Sequence, residues 1–214
     1  MTEKGVPTSQ QASADTRPAR LVNIERGLNR RTFLIMAGLS PVIAVAACAE
    51  QDTKWKTYTS SIYPYQIDYP STFSTQTIPT VGDLFGGGVV NGFPTLISIK
   101  AEPLNLSLDQ YTSEFVASAQ RFNNGQDTVT VLASPLDPRT KQVFKVSGND
   151  AYQIGVHAPQ GANPAVHGVP YDMTATLITA KGLYWTITLF NESSVTQKYR
   201  PIYKHMLDTF QLTR

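Results

Sequence analysis

The chain has 214 residues, of which 41% are hydrophobic and 16% are charged, and its formal net charge is +2 at pH 7. Six of the eighteen Lys and Arg residues but only three of the sixteen Asp and Glu residues lie in residues 1–47, so residues 48–214 carry a net charge of −1. This balance excludes the clustered cationic surface on which nucleic-acid binding depends.

The first apolar segment runs from Phe33 to Ala47 and has fifteen residues, among them Gly38, Ser40 and Pro41. Crossing a bilayer takes about 20 apolar residues, so the segment is too short for a membrane span. A buried helix of the folded domain is an alternative, but Pro41 would interrupt its hydrogen bonding. A basic region, a short apolar run and small residues before a cleavage site are typical of an export signal, which is the interpretation that accounts for every part.

The residues before the apolar run resemble the twin-arginine export motif, in which an arginine pair stands two positions before Phe-Leu. The matching residues are Arg30, Arg31, Phe33 and Leu34. The resemblance implies export through the twin-arginine pathway, which moves cargo that has already folded. That route is consistent either with fast folding or with a cofactor loaded before export.

The end of the apolar run resembles a bacterial lipobox. Its residues are Val45, Ala46, Ala47 and Cys48, and Cys48 is the only cysteine of the chain. The resemblance implies cleavage before Cys48 and conversion of its thiol into a thioether to diacylglycerol. Two or three acyl chains hold a protein firmly on a membrane. The alternative for Cys48 is a buried, inert thiol.

These motifs predict three parts of the chain. Residues 1–47 form the signal peptide, with a disordered n-region rich in Ser, Thr, Gln and Ala. Residues 48–54 form a lipid-anchored tether, and residues 55–214 form a single domain. We expect an exported protein anchored to the outer face of the cytoplasmic membrane or to the periplasmic side.

Within the domain, period-two alternation of apolar and polar residues predicts strands. They are expected at Trp55–Ser60, Tyr65–Tyr69, Phe93–Lys100, Thr128–Ala133, Gln142–Val146, Ala151–His157, Asp172–Ala180 and Leu183–Phe190. Ser71 to Asn91, with glycines at 86–88, is expected to be a flexible loop. Gly148-Asn149-Asp150 and Lys181-Gly182 are residue types that tight hairpins require, so neighbouring strands should be antiparallel.

Two helices are predicted from apolar residues at spacings of three and four. The first is Ser107 to Phe122, where Ser107 and Gln110 form a capping box and the residues from Asn123 to Gly125 end the helix. The second follows the stripe from Tyr199 to Phe210, and Pro201 predicts that it begins near Arg200 or kinks there. Strands joined by hairpins, with helices inserted and appended, indicate an α+β domain in which helices pack on an antiparallel sheet.

The order of these segments over about residues 55–212 resembles the PsbP-like fold. The segments that carry the resemblance are the strand Tyr65–Pro70, the central helix, the hairpin at Gly148–Tyr152, the segment Lys181–Thr188 and the closing helix. The superfamily includes the PsbP extrinsic subunit of photosystem II, DcrB-type bacterial lipoproteins and a Ran-binding factor of nuclear import. The resemblance implies an α/β/α sandwich around an antiparallel sheet. It carries no catalytic motif.

One set of residues could hold a metal ion: His157, His167 and Asp172 are residue types that zinc accepts. The alternative is that these are loop histidines bonded to water or backbone. His205 is expected to lie at the boundary of the core. The glycines at 86–88 lack the Lys and Ser or Thr of a P-loop. No G-x-S-x-G elbow is present, so we predict no enzyme and no cofactor, with a hydrolase as the third alternative.

Surface features complete the prediction. The aromatic residues Tyr63, Tyr65, Tyr69, Tyr184 and Trp185 either pack in the core or line a ligand groove. The Ala158–Pro170 segment and the loop around Gly86 are the best candidates for partner contact. The first hypothesis is therefore a non-catalytic lipoprotein that docks on a membrane complex or assists its assembly, photosynthetic if the host is phototrophic. The second is a small-molecule or metal-binding lipoprotein with a groove between sheet and helix.

Overall fold

The computed structural model describes residues 54–122, 127–134, 144–159 and 168–213. Within these ranges the chain forms two antiparallel sheets and two α-helices. The elements in chain order are β1 (Trp55–Thr59), β2 (Tyr65–Pro70), β3 (Ser74–Ile78), β4 (Gly82–Val90), β5 (Phe93–Pro103), α1 (Leu108–Phe122), β6 (Thr128–Ala133), β7 (Lys145–Val146), β8 (Asn149–Ala158), β9 (Tyr171–Ala180), β10 (Leu183–Glu192), α2 (Thr196–Thr209) and β11 (Gln211–Leu212).

The larger sheet has eight strands and forms the centre of the domain. Its order is β3-β4-β5-β10-β9-β8-β6, with the short β7 paired to β8, and the smaller sheet has the order β1-β2-β11. One face of the large sheet packs against α1 through Phe115 and Ala119. The other face packs against α2 and the small sheet. The predicted α+β fold, an antiparallel sheet between helical layers, is confirmed.

The two faces of the large sheet bury separate apolar clusters because side chains alternate along each strand. On β10, Trp185, Ile187 and Leu189 point into the cluster shared with α2, whereas Phe190 belongs to the cluster under α1. Trp185 is fully buried, and its indole nitrogen donates a hydrogen bond to the Ala180 carbonyl oxygen at 3.2 Å. The central strands are therefore covered on both sides.

The prediction of a flexible loop from Ser71 to Asn91 is wrong, because this segment forms β3 and β4. The sequence of β3 is polar since it lies at the edge of the sheet. In β4, glycine serves close packing: a Cβ at Gly87 would lie 3.0 Å from the Phe73 ring. Gly82 has φ +116°, and a Cβ there would lie 2.2 Å from the Ile99 carbonyl oxygen.

Three tight turns have positive φ at both central residues, which is the type I′ geometry of two-residue hairpins. They are Asn91-Gly92, Ser147-Gly148 and Lys181-Gly182. The predicted turn at Lys181-Gly182 is confirmed. The turn predicted at Gly148-Asn149-Asp150 is centred one residue earlier, because Asn149 and Asp150 already belong to β8 and pair with β7.

The helix α1 confirms the prediction over Ser107 to Phe122. Gln110 N donates to Ser107 Oγ at 3.2 Å, and Ser107 N donates to Gln110 Oε1 at 3.0 Å. These reciprocal bonds satisfy two amides at the start of the helix, as a capping box requires. The residues predicted to end the helix, from Asn123 to Gly125, lie outside the described ranges.

The helix α2 begins at Thr196, so of the two predicted alternatives, a start near Arg200 or a kink there, the start near Arg200 is wrong. A 3-10 turn at Ser193–Val195 precedes it, and the Glu192 side chain accepts a hydrogen bond from the Ser194 amide. This turn already sets helical geometry before Pro201, which consequently lies inside the helix. The predicted apolar stripe is confirmed, with Tyr199, Ile202, Tyr203, Met206 and Leu207 all buried.

Candidate functional site

The residues of the predicted export and lipid-anchor motifs lie outside the described ranges. They are Arg30, Arg31, Phe33, Leu34, Val45, Ala46, Ala47 and Cys48. The processing and lipidation of this segment therefore stay predictions. The first strand in the described ranges begins at Trp55.

The first strand is attached to α2 by an aromatic stack. The rings of Trp55 and His205 lie 3.7 Å apart between centroids with an interplanar angle of 26°. His205 is partly buried, as expected of a residue at the core boundary, and its Nε2 has no hydrogen-bond partner among the described residues. The stack therefore attaches the first described strand to α2.

Two of the three predicted metal candidates lie together. His157 Nδ1 is 2.7 Å from Asp172 Oδ1. Asp172 also accepts hydrogen bonds from Ser193 Oγ at 3.2 Å and from Thr196 Oγ1 at 2.6 Å. Both hydroxyls come from the segment that begins α2. The Asp172 carboxylate therefore connects the start of β9 to the start of this helix.

His167, the third metal candidate, lies outside the described ranges. In the part of the chain that the structure describes, no group of three His, Cys, Asp or Glu side chains is placed to hold a metal ion. Of the candidate ligands, the described residues thus place His157 beside Asp172, whose carboxylate is also bonded to two hydroxyls.

A second carboxylate, Asp83, is bonded to four hydroxyl groups. Its Oδ1 accepts from Tyr58 at 2.9 Å and from Thr77 at 2.6 Å. Its Oδ2 accepts from Ser60 at 2.5 Å and from Tyr65 at 2.8 Å. Asp83 is only 1% exposed. These four donors occupy the acceptor sites of an ionised carboxylate, which number about four.

The Asp83 cluster, formed by Asp83 and these four hydroxyl residues, joins the two sheets. Tyr58 and Tyr65 lie on the small sheet, whereas Thr77 and Asp83 lie on the large one. Burial raises the pKa of Tyr65 well above its usual range, and hydrogen bonding to Asp83 raises it further. Tyr65 therefore remains a donor. The arrangement is suited to holding the sheets together, since substrate cannot reach a carboxylate this deeply buried.

The predicted aromatic set packs in the interior. Tyr65 and Trp185 lie edge to face with centroids 5.8 Å apart, and Tyr63 approaches the same indole at 6.0 Å. On the opposite face, Tyr184 stacks on Tyr111 with centroids 4.1 Å apart. Tyr69 packs against the cluster that contains Trp185. Of the two predicted alternatives for the aromatic set, packing in the core is therefore the one that the structure shows.

The two segments predicted to contact partners have different outcomes. Gly86 is buried within β4, so the expected loop there is a strand. Of the Ala158–Pro170 segment, residues 160–167 lie outside the described ranges. Its two ends are held by the pairing of Ala158 with Tyr171 and by the Ser193 amide, which donates to the Pro170 carbonyl oxygen at 3.0 Å.

A groove of about 850 Å³ lies between α2 and the neighbouring face of the large sheet. Gln153 of β8 and Thr174 of β9 line it from the sheet, and Leu132 lines it from β6. The remaining lining residues described by the structure are Phe144, Lys145, Val146, Ser147, Arg200, Pro201, Tyr203, Lys204, Leu207 and Asp208. This is a groove between sheet and helix of the kind that the second hypothesis requires.

Comparison with known proteins identifies the fold. No protein-family model matches the chain, and no curated protein matches it. Among solved structures, the chain is similar to cyanobacterial PsbP (CyanoP) from Synechocystis sp. PCC 6803, with a TM-score of 0.51, 9% sequence identity and coverage of 78% of this chain and 98% of that one. At this identity the likeness shows the fold alone, and the domain accordingly has the PsbP-like fold.

Two further structures are similar at lower scores. LpqN, involved in cell envelope biogenesis of Mycobacterium tuberculosis, has a TM-score of 0.49 and 8% identity over 77% of this chain and 93% of its own. The Ran-binding protein Mog1p of Saccharomyces cerevisiae has a TM-score of 0.49 and 10% identity over 75% of this chain and 96% of its own. Neither of the two helices in the described ranges is long and apolar enough to cross a membrane.

Proposed function

We propose that this protein is a non-catalytic lipoprotein whose PsbP-like domain, held at a membrane surface through Cys48, docks on a membrane complex or assists its assembly. The observation that carries the proposal is the position of Trp55, which begins β1 and stacks on His205 of α2. Cys48 and Trp55 are seven positions apart in the sequence. An extended chain of that length spans at most about 25 Å, so the domain would lie close to the bilayer.

Two features of the domain support a docking role over catalysis. The Asp83 carboxylate is bonded to four hydroxyl groups of the domain itself. The Asp172 carboxylate bonds to His157 and to two hydroxyls at the start of α2. Carboxylates bonded in this way hold elements in place. The resemblance to PsbP adds the expectation of an extrinsic subunit or assembly factor, photosynthetic where the host is phototrophic.

The Ala158–Pro170 segment is the surface we assign to the partner. A connection of this length between neighbouring antiparallel strands is longer than a hairpin needs, and long connections often carry function. Its ends are held by β8, β9 and Ser193. Its interior can therefore be exchanged while the register of the sheet is kept.

The experiment is crosslinking of intact cells followed by purification of the protein and identification of what is bound to it. We expect one membrane complex to be recovered with the natural chain and lost when residues 160–167 are replaced by a Gly-Ser linker. The matched control, Lys181→Asn, alters the turn at the other end of β9 and should retain the partner. Recovery of no membrane complex with the natural chain would contradict the docking role.

Export can be tested separately. Replacing Arg30 and Arg31 with Lys should leave the precursor in the cytoplasm, because the arginine pair is the feature that identifies the pathway. Fractionation of cells followed by immunoblotting measures this directly. Full export of the double variant would contradict the assignment of the twin-arginine route, whatever the outcome for docking.

A further inference from the structure

The groove between α2 and the large sheet has an unequal distribution of charge. Lys145, Arg200 and Lys204 line it, against a single lining acid, Asp208. Lys204 Nζ lies 2.5 Å from Asp208 Oδ2, and Lys145 Nζ lies 2.6 Å from Asp150 Oδ1. Among the residues that the structure describes, Arg200 has no acidic partner within 4.0 Å. One guanidinium therefore remains available at the rim.

The floor of the groove is partly apolar. Leu132, on the edge strand β6, is 49% exposed although it is a large aliphatic side chain. Phe144 is half-buried and also lines the groove. Covering exposed apolar surface is favourable at about 25 cal/mol per Å². The groove thus offers an apolar surface next to a cation that lacks an acidic partner.

Its size is suited to a small molecule. A volume of about 850 Å³ falls in the range of about 300–1,000 Å³ that ligand sites occupy. Such sites combine apolar walls with a few polar groups that orient the ligand. Gln153 and Thr174 supply uncharged polar groups on the sheet side. A guanidinium matches the planar geometry of a carboxylate or the oxygens of a phosphate.

We propose that this groove binds an anionic amphiphile, with its single carboxylate or phosphate head at Arg200 and its apolar body over Leu132 and Phe144. The charge of the lining selects an anion over a cation, and the exposed leucine selects an apolar body over a fully polar ligand. This site is separate from the Ala158–Pro170 surface. It requires neither the lipid anchor nor the docking partner.

The test is calorimetric titration of the full chain carrying Cys48→Ser, so that no acyl group of its own competes, with decanoate below its micelle concentration. Decyl phosphate, decanol and decyltrimethylammonium serve as comparison probes. We expect decanoate or decyl phosphate to bind with 1:1 stoichiometry and at least ten times more tightly than decanol, and the cationic probe not to bind. The ratio of the two anions identifies the head group.

Variants locate the site. Arg200→Ala should weaken anion binding roughly tenfold or more, since a charge-assisted hydrogen bond is lost. Leu132→Glu should abolish it, whereas Lys198→Ala, which removes a cation on the same helix at Tyr199, should leave it unchanged. If neither decanoate nor decyl phosphate binds to the full chain, the proposal is overturned. Equal affinity for decanol, or an unchanged affinity in Arg200→Ala, would overturn it as well.

Discussion

The buried Asp83 cluster gives the sharpest prediction about stability. In Asp83→Asn, an amide nitrogen replaces one acceptor oxygen, so two of the four hydroxyls of the cluster lose their acceptor and the other two lose a charged one. Hydrogen bonds to charged groups contribute about 1.5–3 kcal/mol and neutral ones about 0.5–1.5 kcal/mol. Removing a buried charge offsets part of this loss.

We therefore expect Asp83→Asn to lower the free energy of unfolding by about 2–4 kcal/mol. For a domain of this size, 1 kcal/mol corresponds to about 2–4 °C in Tm. Thermal and urea denaturation followed by circular dichroism measure the change. Tyr65→Phe, which removes one buried donor, should cost about 1.5–3 kcal/mol.

Asp68→Asn is the matched control, because Asp68 accepts one exposed hydrogen bond, from Thr57 at 2.7 Å. Its effect should stay within about 0.5 kcal/mol, as is usual for exposed positions. If Asp83→Asn unfolds at the same urea concentration as the control, the cluster does not hold the two sheets together and the reasoning is refuted.

Three further predictions test the fold. Gly82→Ala should lower the free energy of unfolding by more than about 3 kcal/mol, because its Cβ would meet the Ile99 carbonyl oxygen. Gly92→Ala, with φ +79° and open space around it, should lower it by about 1 kcal/mol. Equal urea midpoints for the two variants would contradict this. Ser107→Ala should cost about 1 kcal/mol through the lost cap, and an unchanged Tm would contradict it. Burial raises the pKa of Tyr65, Tyr111 and Tyr203 above the usual value of about 10. Above that pH the unfolded state loses protons that the folded state keeps, so the free energy of unfolding should fall by up to about 1.4 kcal/mol per pH unit for each tyrosine. Urea titrations from pH 9 to 11 that show constant stability would contradict the burial of these side chains.

The sequence predicts the strands that alternate clearly and misses those that do not. Tyr65, Ile67 and Tyr69 alternate with polar residues and identify β2, and Ser107 with Gln110 identifies the start of α1. The strands β3 and β4 lack this alternating pattern. The edge strand β3 exposes polar side chains, and β4 has glycines at 82 and 87 where close packing leaves no room for a Cβ. Propensity then favours a loop, although tertiary contacts decide otherwise.

The Asp83 cluster could not be predicted for a different reason. Its members are separated by up to 25 residues, and only the register of β3 on β4 and the packing of the small sheet bring them together. The signal that was available is an aspartate directly before Leu84 and Phe85, two residues that pattern as core. A carboxylate at such a position must find donors when it is buried.

The helix α2 shows a third limit of local signals. Proline is common in the first turn of a helix, which made a start near Arg200 one of the two alternatives expected from the sequence. The helix instead begins at Thr196, whose hydroxyl bonds to Asp172 on β9. This contact spans 24 residues, so the helix boundary depends on tertiary structure that no local pattern records.

Intact-mass measurement on the protein isolated from membranes of its own host tests the central claim most directly. The lipid-anchored account predicts a polypeptide that starts at Cys48, heavier than residues 48–214 by a diacylglyceryl group and, if the terminus is acylated, by one further acyl chain. A polypeptide that starts at Met1, or any terminus that carries no lipid, would contradict it.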